Sequence, residues 1–280
     1  MTEHGTHKQR IRKAFNRAAE RYDSAAAVQR EACERLARFA TAFASKSPPS
    51  GGIVVDAGCG TGLGLPALAA LCPDAYVLVI DLAAAMLDQA RRAASALVPA
   101  SRLSAVCGDL EHLPFAGDSL ALLWSSLALQ WCAPQASMRE IARTLAPGGQ
   151  AFIATLGPRT LHELQTAFAG IDQAEHRIAF HDVGTWAAHA RGAGLDVAGF
   201  ENLDIHALAP DLRKLLRDIK TIGASTVTGA RRRAPLGRAA WQSLEDRYEL
   251  HRRADGLLPA TYDLILLALH KPRSARGDQK

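Results

Sequence analysis

The 280-residue sequence has no Cys-x-x-Cys pair. Its five cysteines, Cys33, Cys59, Cys72, Cys107 and Cys132, are scattered. Neither a redox dithiol nor a zinc site is indicated, and the odd count fits a reducing cytoplasmic setting. The ten histidines show no His-Glu-x-x-His or related spacing, so no metal is expected. No apolar run reaches the roughly 20 residues that span a bilayer. Met1 to Arg12 is polar and basic, unlike a secretory signal. A cytoplasmic chain with no membrane role is therefore expected. Aromatic residues make up 6% and do not interleave with basic clusters, which argues against a groove for single-stranded nucleic acid. A formal net charge of +5 permits an acidic partner without requiring nucleic acid. No Ser/His/Asp or Cys/His arrangement stands out, and the adjacent His162 and Glu163 read as an exposed helix face.

What the chain does have is apolar mass, 48% of residues, and one organising stretch, Ile53-Val54-Val55-Asp56-Ala57-Gly58-Cys59-Gly60-Thr61-Gly62. The β-branched run reads as a buried parallel strand. Glycines at 58, 60 and 62 allow positive φ and let a ligand approach the backbone. A helix over 63–71 follows. Strand, Gly-rich turn and helix form the nucleotide-binding unit of a doubly wound sheet. A second strand, Tyr76 to Ile80, ends at Asp81, an acid placed to accept hydrogen bonds from ribose hydroxyls. The dinucleotide pattern G-x-G-x-x-G fails from Gly58, because Leu63 holds its last position, and from Gly60, because Leu65 does.

Taken in order, residues 8–23 read as an amphipathic helix and 27–43 as a second. Residues 1–50 are thus expected to be a helical lid over the cleft or a packing appendage. After the Ser/Pro/Gly loop over 45–52, residues 51–272 read as an α/β domain. Its expected elements are a helix over 83–96, strands over 103–107 and 119–125, a helix over 137–145 and a strand over 150–155. This alternation implies a parallel sheet with right-handed crossovers, and places a ligand at the carboxyl ends of the strands. Asp56, Asp81, Asp109 and Ser125 fall there. Helices are expected over 160–171, 183–191, 211–222 and 238–252, and strands over 196–206 and 261–270. The extra helices near 207–258 suggest a substrate cap. Residues 273–280 read as a polar, disordered tail.

Asp-x-Gly-x-Gly-x-Gly, then Asp81, then Gly108-Asp109 after the third strand, resembles the class I S-adenosylmethionine-dependent methyltransferases. The resemblance implies a Rossmann-like, mostly parallel seven-stranded sheet. It implies that the Gly58–Gly62 loop lies against the methionine part of S-adenosylmethionine and that Asp56 supports that loop, within reach of the amino group through water. Asp81 then binds the ribose. Asp109 accepts from the adenine amino group, the other reading being a helix N-cap. Met86 and Leu110 flank the base, and Leu82, Ser125 and Arg17 join the cofactor set.

Further segments span nearly the whole chain: Phe15 to Asp23 with Val28-Gln29-Arg30, Ser126 to Cys132, Thr155-Leu156-Gly157, Leu161 to Leu164, Ile219 to Ala224, and Pro259 to Tyr262. These resemble the malonyl-acyl-carrier-protein O-methyltransferases of biotin synthesis, with Ser126 where many relatives have Asn. The resemblance implies methyl transfer to the free carboxylate of a malonyl thioester, on acyl carrier protein or coenzyme A. Such a carboxylate calls for a hydrogen-bond donor and a cation. Tyr22 is the candidate donor and Lys220 the candidate cation, with Arg217 as its alternative. Lys220 also reads as a solvated helix face. Arg231-Arg232-Arg233 reads as an exposed loop or as a dock for an acidic carrier. The competing expectations are a methyltransferase-like assembly factor for respiratory complex I, which shares the Pro-Ala-Thr-Tyr ending, and a generic small-molecule methyltransferase.

Overall fold

The computed structural model describes residues 3–44, 52–171, 178–221 and 236–273. Short β-branched and apolar runs form the strands β1 (Ile53–Ala57), β2 (Tyr76–Asp81), β3 (Leu103–Cys107), β4 (Leu120–Ser126) and β5 (Leu145–Leu156). Three helices leave the sheet and return to it: α4 (Leu65–Leu71), α5 (Ala84–Ala94) and α6 (Pro134–Thr144). Beyond them come α7 (His162–Phe168), α8 (Val183–Gly192), β6 (Asp196–Ala209), α9 (Leu212–Thr221), α10 (Arg238–Glu249) and β7 (Leu258–His270). The seven strands lie in the order β3-β2-β1-β4-β5-β7-β6. The first five pair in parallel. β7 runs antiparallel to both β5 and β6.

Alternation along each strand builds a core on both faces of the sheet, because successive side chains point to opposite sides. Val54, Val77, Leu122, Trp124 and Phe152 enter one core with α4, α5 and the helix over 27–43. Val55, Ile80, Leu123, Ile153 and Leu267 enter the other with Met138 and Ile141 of α6 and Trp186 of α8. β7 is buried over nearly its whole length, whereas most of β6 at the sheet edge is solvent-facing.

Before the sheet stand α1 (Glu3–Ala18), α2 (Tyr22–Ala25) and α3 (Ala27–Phe43). The single helix expected over 8–23 is therefore interrupted after Ala18. The turn carries Asp23 to the Gly-rich loop, where its Oδ1 accepts from Thr61 Oγ1 at 2.7 Å. Asn16 Oδ1 accepts from Ala85 N at 3.0 Å, so α1 is also tied to the start of α5. α3 is anchored by Val28, Ala32, Leu36 and Ala40, all buried. The expected cap region holds α9 and α10, and residues 222–235, with Ile222-Gly223-Ala224 and Arg231–Arg233, lie outside the described residues. So do residues 274–280 of the expected tail.

Glu163 is not on an exposed face. It is 2% exposed, and its carboxylate accepts from the backbone N of Thr261 at 3.1 Å and from the Thr261 hydroxyl. α7 packs on β7, and a helix turn facing a strand must bury one side. Glu163→Ala should take the carboxylate from Thr261 N and from the Thr261 hydroxyl, which keeps His206 Nδ1 at 3.3 Å, and cost about 1–3 kcal/mol. Urea unfolding at neutral pH checks this; an unchanged midpoint would show the pairing to be energetically idle.

Candidate active site

A cleft of about 880 Å³ opens where β1 and β4 end, roofed by the N-terminal helices. The strand order reverses at this place, β2 lying on one side of β1 and β4 on the other. Open α/β sheets bind ligands at such a point.

The Gly-rich turn leaves β1 and forms the floor. Gly58 has φ +75°, and a Cβ there would sit 2.2 Å from Ala128 Cβ, so only glycine fits both the backbone and the space. Gly60 also lines the cleft, and its N donates to Asp81 Oδ2 at 3.0 Å. Ala83 N donates to Asp81 Oδ1 at 2.8 Å. Burial pushes the Asp81 carboxyl above the usual range, and these backbone donors hold it part of the way back.

Asp56 lies at the root of the turn and is 2% exposed. Its Oδ2 has no hydrogen-bond partner among the described residues. Burial, and then the charge of Asp81, push its pKa up to about 8. A buried acceptor left unpaired is costly, so an orphan facing a cleft marks where a ligand's donor belongs.

At the far end, Lys8 Nζ of α1 donates to Asp109 Oδ2 and, at 2.6 Å, to Glu111 Oε2. Burial alone would lower the Lys8 pKa; the bonds to Asp109 and Glu111 outweigh it and raise it. Asp109 Oδ1 also accepts from Glu111 N at 3.0 Å. Ile11 and Phe15 follow Lys8 on the same helix face and line the cleft. The edge of one ring meets the face of the other where Phe15 packs on Trp131, centroids 5.7 Å apart. Leu82, Met86 and Leu110 complete an apolar slot beside Asp109. Tyr22 lines the cleft too, and burial followed by the charge of Asp81 raises its phenol far above the ordinary value.

Of the residues expected at the cofactor, Asp56, Gly58, Gly60, Asp81, Leu82, Met86, Asp109 and Leu110 line this cleft. Three do not. Gly62 is packed under α5, its Cα side facing Ala90. Ser125 is fully buried and donates to Ala57 O at 2.8 Å; its neighbour Ser126 faces the cleft, since adjacent strand residues point opposite ways. Arg17 is exposed on α1, on the side away from Lys8, Ile11 and Phe15. Of Tyr22 and Lys220, both expected to meet at the cleft, Tyr22 lines it and Lys220 does not. Lys220 and Arg217 are exposed on α9, outside the cleft lining, because α9 turns Leu212, Leu215 and Ile219 inward and its cations outward. Sequence reasoning missed Lys8, Glu111, Gln29 and Cys33. The spacing of Lys8 to Ile11 and Phe15, and of Gln29 to Cys33, was the available signal.

Residues 54–149 match the family described as "Methyltransferase domain". The chain is 42% identical over 264 residues to the malonyl-[acyl-carrier protein] O-methyltransferase of Dechloromonas aromatica (strain RCB), covering 94% of this chain and 95% of that one. It belongs to the malonyl-[acyl-carrier protein] O-methyltransferase family. Another similar protein is the biotin biosynthesis bifunctional protein BioHC of Cellvibrio japonicus (strain Ueda107), 35% identical over 95% of this chain and half of that longer one. The fold is also that of the geranyl diphosphate C-methyltransferase of Streptomyces coelicolor A3(2), solved with S-adenosyl-L-homocysteine. That match has a TM-score of 0.52 and 18% identity, and covers 85% of this chain and 76% of that one. The cleft of this O-methyltransferase family member suits S-adenosylmethionine: an unpaired buried acceptor, a Cβ-free strip of backbone, and an acid at the end of β2. No helix among the described residues is long and apolar enough to cross a membrane.

Asp56 and Asp81 have raised pKa values in the folded chain, so without ligand the folded state holds protons that the unfolded state has lost. Stability from this source is full below pH about 4 and falls as pH rises through about 8. Asp56→Asn removes one of these titrations. The thermal midpoint of the ligand-free protein should therefore fall more steeply between about pH 5 and 8 than that of Asp56→Asn. Parallel curves in circular-dichroism melts would contradict the assignment.

Proposed function

We propose that the protein transfers the methyl group of S-adenosylmethionine to the free carboxylate of a malonyl thioester on acyl carrier protein. The observation that carries this reading is the unpaired Asp56 Oδ2 on the wall of the cleft, within a chain of this family. The BioHC relative supports a place in biotin synthesis, and the family relationship favours the thioester over a protein acceptor of the respiratory-complex kind. The cofactor supplies an electrophilic methyl on a sulfonium. A carboxylate oxygen forms the new O–C bond as the S–C bond breaks, and an anion and a cation become a neutral ester and thioether.

The nucleophile is ionised at neutral pH, so the chain needs no general base. Its work is to hold, orient and exclude water. Asp56 accepts from the amino group, Asp81 from the ribose, and Asp109 from the adenine amino group within the slot formed by Leu82, Met86 and Leu110. Helices α1 to α3 act as a lid. Tyr22, kept protonated by burial, donates to the incoming carboxylate. Esterification removes a charge, and the masked unit can then be extended as an apolar primer.

The test is mass spectrometry of carrier-protein thioesters after incubation with enzyme and S-adenosylmethionine. Malonyl-carrier protein should gain one methyl group and acetyl-carrier protein none, and malonyl-coenzyme A should react with lower kcat/KM. Methylation of a protein side chain, with none on malonyl thioester, would reject the reading. Tyr22→Phe should lower kcat/KM on malonyl thioester by about 10- to 100-fold, the loss of one hydrogen bond to a charged group. Its affinity for the cofactor, read by calorimetry, should stay within about twofold.

A further inference from the structure

Gln29 lies on α3, on the wall of the cleft that also presents Cys33 one turn later. Asp56, Thr61 and Gly64 line the same cleft. The Gln29 Oε1 atom is buried and has no hydrogen-bond partner among the described residues, as is true of Asp56 Oδ2. Two orphan acceptors thus border one cavity. Neither belongs to a mobile surface chain: Asp56 lies within the central strand β1, and α3 is held by Val28, Ala32 and Leu36 in the core. Native interiors seldom leave such atoms unpaired, so a bound group should supply the donors.

We propose that Gln29 is a cofactor-binding residue that acts beside Asp56, gripping the zwitterionic amino-acid end of S-adenosylmethionine. The Gln29 amide oxygen accepts from the ammonium, and the amide nitrogen donates to the carboxylate. The chemistry of the amide selects this end. A malonyl carboxylate offers acceptors only and would leave Oε1 buried and unpaired. An amino-acid group offers both a donor and an acceptor, so it satisfies the amide in either of its two rotations. The α3 wall is then fixed to the cofactor, not only to the core.

The test is calorimetry with two ligands, S-adenosylhomocysteine and 5′-methylthioadenosine. They share the nucleoside thioether, and the second lacks the amino-acid end. Gln29→Met keeps the length of the side chain and removes both polar atoms. It should weaken S-adenosylhomocysteine by about tenfold or more while leaving 5′-methylthioadenosine unchanged. Gln29→Glu keeps an acceptor, loses the donor and sets a charge against the ligand carboxylate. It should show the same split, and it serves if the Met variant folds poorly by circular dichroism. Equal weakening of both ligands would assign Gln29 a purely structural role. Unchanged affinity for S-adenosylhomocysteine with a raised KM for malonyl thioester would give it to the acceptor and overturn the proposal. Because neither ligand contains malonyl, the calorimetric outcome is independent of the acceptor assigned above.

Discussion

β1 is flanked by β2 on one side and β4 on the other, and the crossover helices serving these two flanks lie on opposite faces of the sheet. α4 packs into the core that holds Val54 and Trp124, and α6 into the core that holds Val55 and Leu123. A crevice must therefore open beyond the carboxyl end of β1, because no crossover helix fills the space between the diverging pair. Asp56, the Gly-rich turn, Asp81 and Asp109 owe their convergence to that divergence. Any change that altered strand order would scatter them without altering one local turn.

The crevice is built from carboxylates at a cost. Asp56 and Asp81 are pushed towards protonation by burial, and the charge of Asp81 adds to the burden on Asp56. Backbone N–H groups relieve Asp81, and Lys8 relieves Asp109 together with the buried Glu111. Asp56 Oδ2 has no comparable relief among the described residues. In the proposed reading a ligand's ammonium would supply it, and binding energy would come from a penalty already present in the folded chain.

The N-terminal helices are a wall of the site and not an appendage of the sheet. α1 contributes Lys8, Ile11 and Phe15, α2 carries Tyr22, and α3 contributes Gln29 and Cys33. α1 and α2 carry polar ties, Asp23 to Thr61, Asn16 to Ala85 and Lys8 to Asp109, whereas α3 is held in the core by Val28, Ala32 and Leu36. Polar ties open more easily than a packed core.

The sequence by itself determined the central half of the fold and the floor of the site. β-branched runs, glycines with positive φ and acids at strand ends are local signals, and Ile53 to Gly60, Asp81 and Asp109 could be read from them. β3 and α3 begin and end where their patterns predict, since the periodicity of a short segment depends on its own burial. Only the tertiary structure decided the rest. Lys8 meets Asp109 across 101 positions, and Glu163 meets Thr261 across 98. Whether Ser125 or Ser126 faces the cleft depends on the pleat register of β4. Lys220 and Arg217 face solvent because α9 commits its apolar residues to the core. Which polar side chains are buried, and which are left without partners, depends on how distant segments pack, and no local pattern encodes that.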